Sequence, residues 1–358
     1  MSDKYFNPID NPFNNSLITW YSSAKRDLPW RNTKDPYKIW LSEIILQQTR
    51  IEQGMPYYNR FVEHYPTVHD LANANQQEVL KLWEGLGYYS RARNLHATAQ
   101  YVSQELDGQF PNSYAGLVKL KGIGPYTAAA IASFSFDEPV PVIDGNVFRF
   151  VSRYFGIKED IADAKNRKHF EKVLNEVISK ENPSDFNQGI MEFGATVCTP
   201  ANPSCNECVF QSTCYAFAKN EQSNLPVKSK KVKVKDQSIY YTVYEHAGNT
   251  IMKQRTESIW NGLFEFHSVV NDKPIDHETL LPQVPLSNTG EIKEIVGPVK
   301  HLLSHRRLWV HFIHIELEKP EDLKQLSKEL GLTIYSWEEV LTLPRPKVIV
   351  NHLQRAVF

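Results

Sequence analysis

Four cysteines, the only ones in a chain of 358 residues, fall within the seventeen positions from Cys198 to Cys214, spaced C-x6-C-x2-C-x5-C. Thiolates this close in sequence can all reach one inorganic centre. Pro200, Asn202, Pro203 and Asn206 between them favour the turns that would wrap it. Disulfides need an oxidising compartment, and the opening MSDKYFNPID has neither the basic nor the apolar segment of a secretory leader. A structural zinc site more often uses two CxxC-type pairs, whereas only Cys205 and Cys208 have that spacing here. The favoured reading is an iron–sulfur cluster held by Cys198, Cys205, Cys208 and Cys214, with zinc as the alternative. Taken alone, such a loop suits electron transfer as well as a structural role, so its purpose has to come from the rest of the chain.

The length allows two domains, each with its own core. No apolar run approaches eighteen residues, so no membrane span is expected, and a cytoplasmic protein follows. The formal net charge of −1 decides nothing about nucleic acid, because a local basic face binds phosphate on a neutral protein.

Residues 14–180 read as short helices. Trp40, Ile44 and Ile45 recur at helical spacing, as do Leu95, Ala99, Val102 and Leu106, and then Phe170, Leu174, Val177 and Ile178. Breakers separate them at Gly54-Met55-Pro56, Tyr65-Pro66, Gly85-Leu86-Gly87, Phe110-Pro111, Gly122-Ile123-Gly124-Pro125 and Asn182-Pro183. After the cysteines comes a linker, 223–236, with lysines at 228, 230, 231, 233 and 235; such a run is a solvated spacer that could also lie on phosphate. From 237 the pattern turns to strands. Ala247-Gly248-Asn249 reads as a hairpin turn, and Leu308, Val310 and Phe312 alternate before the phase slips to Ile313, Ile315 and Leu317, as at a bulge. Leu323, Leu326 and Leu330 predict a helix. The organisation is therefore a helical domain over 1–222, the linker, and an α+β domain over 237–358.

Four motifs carry chemistry. Leu120–Ala128 passes from helix to helix through Gly122-Ile123-Gly124, where two glycines allow close approach of a ligand and the next helix aims free N–H groups at an anion. A plain turn between helices is the alternative, but the small residues that follow favour a helix-hairpin-helix over 117–133. Asp144, in Pro139-Val140-Pro141-Val142-Ile143-Asp144-Gly145-Asn146, is either an N-cap or a carboxylate placed to face a developing cation. Glu43 lies in the otherwise neutral Ile39–Thr49; a surface Glu is the default, yet apolar neighbours predict burial, which raises a carboxyl pKa toward general-acid use. Trp83–Arg93 combines aromatic rings, glycines and two arginines, which suits either a wedge between bases or an aromatic core contact. Gln47 and Gln48 are amides able to read base edges.

In this order the pieces resemble the MutY family of adenine DNA glycosylases, within the endonuclease III-like helix-hairpin-helix superfamily. The resemblance rests on C-x6-C-x2-C-x5-C, the Gly-Ile-Gly hairpin, VIDGNV and LSEIILQQTR, and spans essentially the whole chain. It implies a mainly α glycosylase domain with a [4Fe-4S] cluster loop at 198–214, followed by a Nudix-like lesion-recognition domain. It also implies removal of adenine opposite 8-oxoguanine or guanine in double-stranded DNA, by a bacterial, nucleoid-associated monomer. Glu43 becomes the general acid, Asp144 the group facing the sugar, and Tyr126 and Asn146 their supports. Where strand-cleaving relatives hold an imine-forming lysine this chain has Tyr126, so a monofunctional enzyme is implied. Arg26, Trp30, Arg31, Leu46 and Gln188 line the pocket for a flipped base, while Gln48 and Tyr88, with Thr49 and Leu86 beside them, fill the gap.

In the second domain, Trp260–Phe266 fits the family's version of the Nudix fold, without an acidic box for pyrophosphate hydrolysis. The family's Phe-Ser-His sensing triplet corresponds to Leu303-Ser304-His305, which keeps the Ser and His hydrogen bonds and loses the aromatic face. His301, His305, His311 and His314 read as strand and loop residues in preference to a metal site. The competing functions are a thymine or uracil mismatch glycosylase on the same scaffold, and a non-catalytic binder of damaged DNA.

Overall fold

The computed structural model describes residues 12–229, 234–257, 259–285 and 290–356. The opening decapeptide and linker lysines 230, 231 and 233 lie outside the described residues. The chain forms two compact units, residues 1–72 with 97–230 and residues 73–96 with 231–358. A single cut within 223–236 therefore differs from the observed division by the segment 73–96. That segment is fastened to distant partners no local pattern announces. Arg93 donates to the Asn261 carbonyl at 2.7 Å, the Tyr89 hydroxyl to the Arg345 carbonyl at 3.3 Å, and the Arg345 amide to Glu84 at 2.9 Å.

The first unit is helical. Phe13, Phe150, Phe186, Phe193 and Phe210 meet in its core, with Cys198, Cys208 and Cys214 packed against the same cluster. Contrary to the expected break at Gly54-Met55-Pro56, one helix runs from Ile51 to His64 with Pro56 inside it. Gly54 is there for packing: a Cβ would lie 2.6 Å from Leu46 Cδ2, so the glycine lets this helix approach Pro36–Leu46. Asp35 caps that earlier helix by accepting from the Tyr37 amide at 2.9 Å.

In the hairpin at 117–133, Gly122 (φ 75°) takes the left-handed turn, Gly124 is the N-cap, and Pro125 opens the helix Pro125–Phe136. The Thr98 hydroxyl donates to the Lys121 carbonyl and pins the turn.

In the second unit seven strands form one sheet among the described residues. They are β1 (Lys235–His246), β2 (Asn249–Gln254), β3 (Phe264–Glu265), β4 (His267–Asn271), β5 (Glu291–Leu302), β6 (Arg306–Glu316) and β7 (Thr333–Ser336). The order is β3-β2-β1-β6-β5, with β1 and β6 parallel at the centre, β4 on β1 and β7 on β2. Ala247 and Gly248 both take positive φ in the tight β1–β2 turn. The helix expected from Leu323, Leu326 and Leu330 is Pro320–Leu330.

The phase slip in β6 is not a bulge of that strand, whose pairing with β1 is continuous from Arg306 to Glu316. Phe312, Ile313, His314 and Ile315 are all buried because both faces of the sheet are covered there, which replaces alternation by a continuous apolar run. The register shifts lie in β5, between Ile292 and Glu294 and between Val296 and Val299.

Candidate active site

A cavity of about 460 Å³ opens in the first unit, and the residues predicted to do chemistry converge on it: Glu43, Tyr126, Asp144 and Asn146 all contribute to its wall. Arg26, Trp30, Arg31, Leu46, Thr49 and Gln188 line it too. Glu43 comes from the helix Pro36–Leu46, Tyr126 from the first turn after the Gly122–Gly124 hairpin, and Asp144 and Asn146 from the start of Gly145–Phe155. The chain thus delivers its carboxylates from the ends and faces of rigid helices.

Glu43 is only 7% exposed. Burial pushes its carboxyl up to about 7, reinforced by Asp144 and opposed by a hydrogen bond from Tyr126 and by the charge of Arg31. The Tyr126 phenol is held well above its ordinary value by burial and by the two carboxyls, so it remains a neutral donor. Asp144 is the N-cap, one of the two readings the sequence left open, and it also lines the cavity. Its Oδ1 caps the helix by accepting from the Val147 amide at 2.8 Å, while Oδ2 accepts from Asn146 Nδ2 at 2.8 Å. Burial raises its carboxyl, and those two donors and Arg149 pull it back. The arrangement therefore sets a carboxyl poised to give up a proton near neutrality beside one oriented at both oxygens.

Several contributors were not legible in the sequence. Glu192, 1% exposed, takes Arg26 at 2.6 and 2.7 Å and Arg31 at 2.7 Å; these two guanidiniums outweigh its burial and hold it down to about 2. Asn187, also 1% exposed, accepts from the Val142 amide and donates to Ser133 and to the Val140 carbonyl, each at 2.9 Å, which anchors the extended run leading to Asp144. Arg149 donates to Asn146 Oδ1 at 2.9 Å, to the Gly194 carbonyl at 2.6 Å and to the Cys198 carbonyl at 2.8 Å. Apart from the Arg149–Asn146 pair, one helical turn apart, no spacing rule could have found these, since the partners lie far along the chain.

The remaining predicted residues lie elsewhere. Gln48 follows the Glu43 helix with an exposed side chain on a left-handed backbone (φ 55°). Gly122 and Gly124 are exposed in the hairpin, and nothing stands within 4 Å of a Cβ built on Gly124. In the second unit Tyr88 is also left-handed (φ 49°) and 46% exposed, whereas Leu86 is buried, so its side chain is not part of the surface of that unit. Arg91 braces this turn by donating to the Gly87 carbonyl and lying over both Trp83 and Tyr88. Ser304 and His305 are exposed in the loop between β5 and β6, which the Leu303 amide closes on the Arg306 carbonyl at 2.8 Å. His311 and His314 fall on opposite faces of β6, stacked on Tyr240 and bonded to His352 respectively, and among the described residues no group of three His, Cys, Asp or Glu is placed to hold a single metal ion.

Cys198, Cys205, Cys208 and Cys214 border one small apolar cavity walled by Phe150, Phe193 and Phe210, and all four are free of disulfides. Arg153 donates to Cys198 Sγ at 3.4 Å and to the Thr199 and Pro200 carbonyls at 2.7 and 3.0 Å. Four thiols around one hollow, with a cation against them, form a donor set suited to a polynuclear anionic centre.

Residues 41–176 match the family model of the HhH-GPD superfamily base excision DNA repair proteins. The adenine DNA glycosylase of Buchnera aphidicola subsp. Baizongia pistaciae (strain Bp) is 34% identical over 343 residues, covering 93% of this chain and 94% of that protein. Among solved structures, a thermostable thymine-DNA glycosylase aligns with TM-score 0.54 at 29% identity, covering 58% of this chain and 95% of its own. An endonuclease III trapped on DNA aligns with TM-score 0.52 at 22% identity, covering 60% and 99%, a likeness of fold.

Proposed function

Because the chain belongs to the adenine DNA glycosylase family, we propose that it excises adenine from double-stranded DNA in base-excision repair, acting where adenine stands opposite 8-oxoguanine or guanine. The observation that carries this reading is the convergence of Glu43, Tyr126, Asp144 and Asn146 on one cavity, with Glu43 raised to about 7. The target nucleotide leaves the stack, and the base enters beside Trp30, Arg31, Leu46 and Gln188. Glu43 gives its proton to adenine, so the electron pair of the breaking C1′–N bond departs on a neutral base. The sugar becomes oxocarbenium-like, and the Asp144 carboxylate, held by Asn146, stabilises the positive charge. Water then adds to C1′ and returns a proton to Glu43. Tyr126 offers no amine, which supports a monofunctional enzyme.

Ser304 and His305 present hydrogen-bonding groups for lesion recognition on a Nudix-like domain, and Leu302 beside them is a 64% exposed apolar surface. Cys198, Cys205, Cys208 and Cys214 would hold a [4Fe-4S] cluster, whose contribution is to brace the loop. Arg153 would offset its charge, and a brown protein absorbing near 400 nm is the corresponding signature, roughly as for other Cys-ligated clusters. The protein acts as a monomer associated with bacterial DNA. Among the described residues no helix is long and apolar enough to cross a membrane.

A thymine mismatch glycosylase is the second reading, favoured by the 29% identical solved structure, but that likeness covers 58% of the chain against 93% for the adenine-specific relative. Single-turnover assays on duplexes with adenine, thymine or uracil opposite 8-oxoguanine decide between them. Release of adenine alone, lost in Glu43→Gln while DNA binding persists, is the expected outcome; preferential thymine release, or unimpaired release by Glu43→Gln, would overturn it.

A further inference from the structure

The second unit includes the turn that follows the helix Gln76–Leu82, and with it the exposed Tyr88. Gly85, Gly87 and Tyr88 coil this turn with φ of 103°, 74° and 49°. Glycine tolerates that region, whereas a tyrosine stays in it only where its surroundings hold it. Two bonds within the turn begin to do so. Trp83, fully buried, donates from Nε1 to the Gly87 carbonyl at 3.0 Å, and the Gly85 amide donates to the Tyr89 hydroxyl at 3.3 Å.

The rest of the hold comes from a distant strap, Leu343-Pro344-Arg345-Pro346, between the helices Trp337–Thr342 and Lys347–Ala356. Pro344, Arg345 and Pro346 are buried, and the two prolines have no N–H, so the Arg345 amide is the one backbone donor among the three. Glu84 takes it, Oε2 accepting at 2.9 Å, and the same oxygen lies 3.9 Å from the Arg345 guanidinium. Glu84 Oε1 accepts from Lys81 Nζ at 3.1 Å, and that amine also reaches the Leu343 carbonyl at 3.3 Å. The Arg345 carbonyl accepts from the Tyr89 hydroxyl at 3.3 Å, while the Pro344 carbonyl accepts from the Phe264 amide of β3 at 2.8 Å. The strap therefore bonds to the sheet on one side and to the Tyr88 turn on the other. β3 begins the strand order that ends at β5 and β6, whose connecting loop holds Ser304 and His305.

We propose that Glu84 and Arg345 are positioning residues for adenine excision, acting through the strap to keep Tyr88 in the exposed, left-handed pose in which it meets the bases of a bound duplex. The role rests on the excision reading above and adds a division of labour to it. The aromatic ring and the hydrogen-bonding residues Ser304 and His305 belong to one body, separate from the carboxylates that do the chemistry. Removing the Glu84 carboxylate leaves a buried amide and a buried guanidinium short of an acceptor, so the strap moves to recover one and the turn loses its brace.

The test is a double-mutant cycle between Glu84→Ala and Tyr88→Ala in the full-length protein. One readout is single-turnover adenine release. The other is the fluorescence of 2-aminopurine placed next to the mispair, which reports unstacking on binding and needs no base release. Each single variant is expected to lose at least tenfold in release and most of the fluorescence rise, and the double variant to fall no more than about twofold below Tyr88→Ala alone. Glu84→Gln keeps an oxygen for the Arg345 amide and should recover release to within about threefold of wild type. If Glu84→Ala folds poorly, Lys81→Ala, at a half-buried site, enters the same cycle with the same expected non-additivity. Losses that simply add, or full unstacking by Glu84→Ala, would overturn the proposal. A wild type that unstacks the duplex yet frees no adenine would instead fail the excision reading, and the fluorescence cycle would still decide the role of Glu84.

Discussion

Arg149 donates from Nε to the backbone carbonyl of Cys198 at 2.8 Å while its Nη2 reaches Asn146 Oδ1 at 2.9 Å. Asn146 in turn donates to Asp144 Oδ2, so one guanidinium stands between the cysteine loop and the carboxylate assigned to the sugar. Arg149 is 9% exposed, and a shorter amide cannot reach its three carbonyl-type acceptors at once. Arg149→Gln is expected to lower single-turnover adenine release at least tenfold while iron per chain and duplex affinity stay within about threefold. Release unchanged in an iron-replete variant would reduce Arg149 to a packing role.

The rate should fall on the alkaline side. Glu43 works as an acid, and burial sets its carboxyl near 7, so the competent protonated form is depleted as pH rises through that value. Asp144 must be ionised to face a cation, and its own raised carboxyl closes the acid side. Single-turnover rates across pH 5 to 9 should describe a bell whose alkaline limb approaches a tenfold loss per pH unit. A flat profile above pH 7 would contradict the assignment of Glu43.

The same group also implies a trade between stability and activity. A carboxyl raised in the folded state contributes stability fully below its unfolded value of 4.5, and that contribution is lost as pH climbs toward 7. Glutamine removes the buried charge. Glu43→Gln should therefore be more heat-stable than wild type at pH 8, by up to about 3 kcal/mol, with the difference vanishing near pH 4.5. Thermal midpoints measured at both pH values check this, and equal gains at both would mean that the charge is not responsible.

Much of this was readable in the sequence, and the misses have physical causes. The helix Pro36–Leu46 announces itself by the spacing of Trp40, Ile44 and Ile45, Gly145–Phe155 by the aspartate before it, and Glu43 stands out as a charge in an apolar run. Gly54 and Pro56 misled because glycine marks close packing as readily as a turn, and because tertiary contacts can carry a helix through a proline. The phase slip at Phe312 and Ile313 misled because covering both faces of a strand erases alternation. Glu192 was invisible because its partners Arg26 and Arg31 lie more than 160 residues earlier.

Glu192 offers a sharper electrostatic test than removal of either arginine. Its carboxylate neutralises Arg26 and Arg31 in the wall of the cavity, and Arg31 already favours the ionised form of Glu43. Glu192→Gln leaves that positive charge uncompensated, so the Glu43 carboxyl should move down. The alkaline limb of the rate profile is expected to shift acidward by roughly half a unit to one unit, at nearly constant rate below pH 6. A shift in the opposite direction would mean that the arginines had moved away from Glu43.

Gly194 tests the placement of Asn146 from behind. A Cβ at this position would lie 2.7 Å from the Asn146 carbonyl oxygen and 2.9 Å from its Cβ, both too close for real atoms, and the nearest of them is backbone. Gly194 sits inside the helix Pro183–Thr196, so alanine suits its conformation and the clash is the whole effect. Either the two helices separate or Asn146 tips away from Asp144. Gly194→Ala is expected to destabilise by about 1–3 kcal/mol, the usual penalty of overpacking. Because the displaced atoms belong to the residue that orients Asp144, adenine release should fall further than stability, by tenfold or more in protein that remains folded at the assay temperature. Circular dichroism and single-turnover release on the same sample separate the two. Full release from a destabilised variant would show that Asp144 keeps its orientation through the Val147 amide alone.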